Sequence, residues 1–292
     1  MDERDEADTD MQGTASIPAP DHARHKPFLK WPGGKINVVP KLRELLPRGE
    51  RLVEPFVGSG AVFLNVDYPR YLLADSNADL INIFEHVARE GDAFFEFCRP
   101  WFAPAFNQGN VFYAMRELFN ATREPRLRAA LFLYLNKHCF NGLVRYNGRG
   151  EFNTPFGEVK QPHLPADALA YFRRHAQRAE IVCQSFVTTM ESARRGDVVY
   201  CDPPYVPLTK TASFTKFQRD DFGREQHEEL ARQARTLAAR GIPVVISNHD
   251  TPFVREAYAG ATLHPLSVRR SISRDGATRG AVKEIVAVFE AH

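Results

Sequence analysis

The apolar run Val198-Val199-Tyr200-Cys201 leads directly into Asp202-Pro203-Pro204-Tyr205, and the two consecutive prolines decide what the backbone does next. Neither can donate to a sheet ladder and each fixes its own φ, so a buried strand ends at Cys201 and the following groups point in a narrow range of directions. Ligands of open α/β sheets bind at such carboxyl ends. A carboxylate, a stiffened backbone and an aromatic face suit a flat heterocyclic amine. Asp202 accepts one N–H, the Pro203 carbonyl accepts the second, and Tyr205 stacks on the ring. The amine so held is pulled out of conjugation and becomes a better nucleophile. The same four residues also fit a plain strand-ending turn in which Asp202 caps and Tyr205 packs, so the motif does not decide by itself.

A second segment, Leu52-Val53-Glu54-Pro55-Phe56-Val57-Gly58-Ser59-Gly60-Ala61-Val62-Phe63, reads as a strand entering a turn of small residues. Gly58 and Gly60 allow positive φ and a close approach of backbone to ligand. The dinucleotide fingerprint is incomplete, because Phe63 stands where a third glycine is wanted. The next strand, Tyr71-Leu72-Leu73-Ala74, ends in Asp75, at the distance where an acid meets ribose hydroxyls. An adenosine-containing cofactor is therefore expected; the alternative for Asp75 is to cap a helix beginning near Asn77. With no Gly-Lys-Ser/Thr present, a nucleoside triphosphatase is not expected. Upstream, Phe28-Leu29-Lys30-Trp31-Pro32-Gly33-Gly34-Lys35 combines a large ring, two glycines and two cations, either a plain surface turn or a cover in which Trp31 shields the cofactor and Lys35 reaches a carboxylate.

In this order the motifs resemble those of Dam-type DNA adenine-N6 methyltransferases, the alpha-class D12 family, from about Pro27 to the C-terminus. Asn141-Gly142-Leu143, Arg145-Tyr146-Asn147, Arg149-Gly150-Glu151-Phe152-Asn153, Pro155-Phe156-Gly157 and Ile246-Ser247-Asn248-His249-Asp250 carry the resemblance further. It implies an S-adenosylmethionine site at Trp31, Lys35, Glu54, Phe56, Gly58, Gly60, Asp75 and Asp202, with Asp202, Pro203 and Tyr205 catalytic on a flipped adenine. It also implies a recognition hairpin between about Cys139 and Lys160. There Leu143, Arg145 and Pro155 read bases of GATC, Lys30 approaches the first guanine, and Phe140, Asn141 and Lys160 complete the contacts. An Arg binds guanine O6 and N7 bidentately, and Leu and Pro suit thymine methyls. Two departures stand out: Phe140 replaces a wedging tyrosine, and Glu158-Val159 replaces a more basic pair. The expected reaction is direct methyl transfer to adenine N6 in double-stranded DNA, without metal or covalent intermediate. Two rivals are methylation of cytosine N4 and a non-catalytic DNA-binding relative.

The 292 residues carry a net charge of only +2. Residues 1–26 hold seven acids and three bases, so the remainder is net +6; residues 123–160 and 266–283 are each net +4. Basic character thus gathers at the proposed hairpin and around Arg269-Arg270, as phosphate binding needs. The acidic tail reads as disordered, and no apolar h-region or membrane-spanning stretch occurs, so a cytoplasmic, monomeric protein without an obligate protein partner is expected. Cys98, Cys139, Cys183 and Cys201 lack zinc-ligand spacing and read as reduced packing residues. The fold expected is a doubly wound, Rossmann-like α/β methyltransferase sheet with an inserted, mostly helical target-recognition domain carrying a β-hairpin. Residues 27–76 and 165–292 form the catalytic domain and 77–164 the insertion. Strands are expected at 52–56, 71–74, 180–187, 198–201, 243–247, 262–268 and 284–289. Leu80, Phe84 and Val87 mark one buried helix face, and Leu127, Ala130, Leu131 and Tyr134 another. Leu230, Ala234 and Leu237 mark a late helix carrying a Glu228–Arg232 pair. Residues 207–222 read as a flap, and His249 as structural.

Overall fold

The computed structural model describes residues 24–206, 222–269 and 281–291. Nearly all of the acidic tail, the proposed flap up to residue 221, and Arg270 lie outside them. All seven expected strands are present: β1 (Arg51–Glu54), β2 (Arg70–Asp75), β3 (Ala179–Cys183), β4 (Asp197–Cys201), β5 (Val244–His249), β6 (Thr262–Arg269) and β7 (Ala281–Phe289). Among the described residues they form one sheet in the order β3-β2-β1-β4-β5-β7-β6, parallel except for β7, which is antiparallel to β5 and β6. Strands β1, β4 and β5 are buried along their whole length, as apolar runs covered on both faces must be.

The helices are α1 (Val39–Leu45), α2 (Ala78–Glu90), α3 (Asp92–Cys98), α4 (Gly109–Ala121), α5 (Pro125–His138), α6 (Ala166–Ala176), α7 (Phe186–Glu191), α8 (Arg224–Ala239) and α9 (Pro252–Ala257). Period-two alternation sends strand side chains to two cores. Leu52, Tyr71, Leu73, Val198 and Tyr200 pack with Leu80, Phe84 and Val87 of α2 and with α5 and α6. Val53, Leu72, Val199, Cys201 and Ile246 pack with Leu230, Ala234 and Leu237 of α8. The segment 77–164 shares the first core through Phe112, Phe119 and Phe132. Its hairpin end is tied down by Tyr146, whose hydroxyl donates to Asp79 Oδ2 at 2.6 Å, and Arg128 pairs with the same carboxylate.

Four local expectations are corrected. The third strand ends at Cys183, because the Ser185 hydroxyl accepts from Thr188 N–H and caps α7, so Phe186 begins a helix. Arg232 pairs with Glu229, one turn back at i,i+3, not with Glu228. Cys183 is exposed, while Cys98, Cys139 and Cys201 are buried; all four are free thiols. The hairpin between Cys139 and Lys160 is reduced to two antiparallel bridges, Cys139–Phe156 and Tyr146–Phe152. Among the described residues no helix is long and apolar enough to cross a membrane.

Candidate active site and nucleic-acid face

From β1 the chain moves outward to β2 and β3, then returns to β4 on the other side of β1. That reversal opens a crevice where the carboxyl ends of β1 and β4 lie side by side. Glu54 closes β1 and Asp202 follows β4. Lys35, 6% exposed, places Nζ 3.0 Å from Asp202 Oδ1, donates to the Gly33 carbonyl at 2.8 Å, and lies 4.5 Å from the centre of the Tyr205 ring. The three residues therefore meet although they come from opposite ends of the chain. Burial lifts the Asp202 carboxyl to about 6, with Lys35 opposing the rise and Glu284 adding to it.

Glu54 is 2% exposed, and its Oε1 has no hydrogen-bond partner. Burial pushes its carboxyl well up, and the charge of Asp202 adds to that rise. Such an orphaned buried acceptor, with the Asp202 carboxylate near it, fits a cationic ligand better than an anionic one.

Beside it, Gly58 and Gly60 adopt φ of 49° and 75°. A Cβ on Gly58 would come within 3.2 Å of the Trp31 indole, so Trp31 lies directly over the turn. The Asp75 carboxylate organises this loop: Oδ2 accepts from Gly58 N–H at 3.1 Å and Oδ1 from Asn77 N–H at 2.9 Å. Asn77, not Asp75, caps α2, accepting from Asp79 and Leu80 N–H. Phe56 stacks on Phe186 and meets Phe222 edge-on.

Glu284 was not singled out by its sequence. It is buried on β7, and Tyr205 donates its hydroxyl to it at 3.1 Å. One acid inside the apolar run of β7 was the available signal. His249 closes β5 and contacts the Tyr205 ring at 4.7 Å, edge to face, so its structural placement is also a placement at the site.

The second group of expected residues gathers on the hairpin. Lys30 is joined to α5 by a pair of hydrogen bonds with Asn136, at 2.9 and 2.8 Å, and its stem runs against Gly142. Phe140 is 52% exposed, and its N–H donates to the Pro155 carbonyl, which brings those two residues together at the hairpin mouth. Asn141 takes a left-handed φ of 54°. Leu143 accepts from the Thr154 hydroxyl at 2.7 Å, and Arg145 is oriented by Asn153 through Nε at 2.7 Å and Nη2 at 3.1 Å. Asn141, Pro155 and Lys160 are exposed, as is Glu158, which has a φ of 49°.

The sequence matches the family of D12 class N6 adenine-specific DNA methyltransferases over residues 31–272. The chain belongs to that family. DNA adenine methylases of Salmonella typhi and Escherichia coli K12 are each 48% identical over 267 residues, covering 91% of this chain and 96% of theirs. The enzyme of that name from Vibrio cholerae O1 is 44% identical over 270 residues, 92% of this chain and 98% of its own. The rRNA methyltransferase aviRa of Streptomyces viridochromogenes aligns over 86% of this chain and 82% of its own, at 11% identity and a TM-score of 0.35, a likeness too slight to build on. The doubly wound sheet is accordingly that of an adenine-specific DNA methyltransferase, and DNA is the substrate of this D12 enzyme.

Proposed function

We propose that the chain transfers the methyl group of S-adenosylmethionine to N6 of an adenine turned out of duplex DNA, within the sequence GATC. The observation that carries this reading is the meeting of Asp202, Lys35 and Tyr205 beside the orphaned Glu54 at the switch point of the sheet. S-adenosylmethionine, when bound, supplies a methyl group on a sulfonium that is already electrophilic. Glu54 and Asp202 suit its cationic groups, Lys35 its carboxylate and Asp75 its ribose hydroxyls. Trp31 and Phe56 offer apolar rings, and Gly58 and Gly60 leave room for it.

The chemistry of the chain's own residues is positioning and charge. Asp202 and the Pro203 carbonyl accept the two N–H groups of the adenine amine, and Tyr205 stacks on the base, offsetting part of the few kcal/mol that unstacking costs. With its carboxyl at about 6, Asp202 is ionised at neutral pH, where it serves as acceptor and receives the proton that a methylated N6 sheds.

Residues 77–164 act as the target-recognition part and 27–76 with 165–292 as the catalytic part of a monomer. Leu143, Arg145 and Pro155 read bases, Lys30 approaches the first guanine, Phe140 wedges into the stack, and Asn141 and Lys160 add contacts. The relatives named DNA adenine methylases support this assignment.

The test is a series of duplexes that vary one position of GATC at a time, incubated with the protein and labelled S-adenosylmethionine, followed by nucleoside analysis. We predict N6-methyladenine, with the intact site preferred by at least about fivefold over each variant, since a wrong base pair typically costs about 1–3 kcal/mol. Label on cytosine, or equal transfer to all duplexes, would overturn the reading. The smallest preference is expected at the first position, where Glu158-Val159 replaces a more basic, tyrosine-containing pair.

A further inference from the structure

Lys30 and the hairpin meet at one side chain. Asn136, fully buried near the end of α5, accepts from the Lys30 N–H at 2.9 Å and donates to the Lys30 carbonyl at 2.8 Å. The same amide nitrogen donates to the Gly142 carbonyl at 3.1 Å. These bonds use both amide hydrogens, and they settle which way the group points, since exchanging its oxygen and nitrogen would set an oxygen against two carbonyls. A residue gripped by both of its main-chain groups has little freedom to turn.

The side chain of Lys30 is guided separately. Gly142 has a φ of 65°, and a Cβ there would stand 2.4 Å from Lys30 Cβ and 2.5 Å from Cδ. The stem therefore lies in a channel that only a glycine leaves open. Lysine carries its charge at the end of a flexible four-carbon stem, so the ammonium is delivered according to where the Cα is fixed and which surface the stem lies on. Asn136 fixes the first and binds the peptide that forms the second. The readers on the hairpin have supports of their own: the Thr154 hydroxyl on the Leu143 carbonyl, and Asn153 on the Arg145 guanidinium.

We propose that Asn136 is a positioning residue for specificity, setting Lys30 against the hairpin and with it the discrimination at the first base of the site. This rests on the reading of Lys30 as the residue that approaches the first guanine. An asparagine that only filled the end of α5 would be replaceable by leucine with base preference unchanged.

The experiment uses the full chain and duplexes whose second strand already carries N6-methyladenine, so that one adenine is available. GATC is compared with duplexes altered at the first, third or fourth position, by kcat/KM, by single-turnover transfer and by melting. Asn136→Leu is expected to lower the first-position preference from about fivefold or more to about twofold or less, while the other two preferences and the rate from saturated GATC complex stay within about threefold of wild type. Should the leucine variant fail to fold, Asn136→Asp, which keeps the acceptor and loses both donors, carries the same expectation. Lys30→Ala completes a double-mutant cycle: once the ammonium is gone, adding Asn136→Leu should cost no further first-position preference. The proposal is overturned if Asn136→Leu keeps that preference, if preference falls alike at all three positions, or if the double variant loses more than Lys30→Ala alone. A Lys30→Ala variant that still prefers guanine at the first position sinks the reading of Lys30, whereas one that loses the preference beside an unaltered Asn136→Leu sinks this inference alone.

Discussion

The crevice at Asp202 and the hairpin from Cys139 to Lys160 treat their polar groups in opposite ways. In the crevice, Asp202 is paired with Lys35, Tyr205 with Glu284, and Asp75 with two backbone N–H groups, all in largely buried surroundings. On the hairpin, Phe140, Asn141, Pro155 and Lys160 face solvent, and ladder pairing is reduced to two bridges. Arg145 is the intermediate case, oriented by Asn153 yet only half-buried. The difference fits what each region is proposed to work on. A reacting amine must be met by acceptors already in place, since reorganising them during the reaction would raise the barrier. A duplex is met by groups whose partners are the bases and phosphates themselves.

If that division is right, substitutions in the crevice remove chemistry and those on the hairpin remove discrimination. The largest effect is expected for Asp202→Ala, which deletes one of two acceptors on the amine. We predict a loss of at least about a hundredfold in single-turnover transfer, comparable to losing a preorganised hydrogen-bond partner in other enzymes, with duplex affinity within a fewfold of wild type. Substantial turnover by a folded variant would break the comparison at its catalytic end. Arg145→Ala should act next most strongly, and differently. It removes a guanidinium suited to bidentate guanine readout, worth about 1–3 kcal/mol of discrimination. The preference for GATC over a duplex with that guanine replaced should collapse by roughly ten- to a hundredfold, while transfer from saturated complexes changes little. If all duplexes weaken equally, Arg145 holds phosphate and the base-reading assignment fails.

How much of this was legible in the sequence differs between the two regions for a physical reason. The strands were readable because each is a short apolar run whose alternate residues feed two cores, and because Pro203-Pro204 and Gly58-Gly60 mark the places where strands must end. The third strand was overextended because Phe186-Val187 adds strand-favouring residues to the run, and only the capping hydroxyl of Ser185 turns them into a helix. The loss of ladder in the hairpin was not readable, since bridges depend on how the segment sits on α2 and α5 through Tyr146 and Asp79. Least visible were the contacts that close the crevice. Nothing local to Lys35 announces Asp202 as its partner, and Glu284 lies in a strand assigned only to the sheet. Motifs named the residues proposed to meet the ligand; the residues that hold those residues emerged only from the fold.

Glu284 offers the finest test of the same division, because its substitution can alter charge while sparing geometry. Asp202 must be ionised to take up a proton, and its carboxyl sits at about 6, raised chiefly by burial, lowered by Lys35 and raised again by Glu284. Activity should therefore fall as pH drops through about 6, and the limb should be seen in kcat/KM, which reports the free enzyme. Glu284→Gln keeps an oxygen for the Tyr205 hydroxyl but removes one negative charge facing Asp202. With less repulsion the Asp202 carboxylate forms more easily, so the acidic limb should move to lower pH while the rate at pH 8 changes by less than about threefold. Measuring kcat/KM for a GATC duplex from pH 5 to 8 decides it. A limb that stays in place, or moves upward, would mean that the group titrating in wild type is not Asp202, and that the crevice is organised around some other acid, with Glu54 the first to examine.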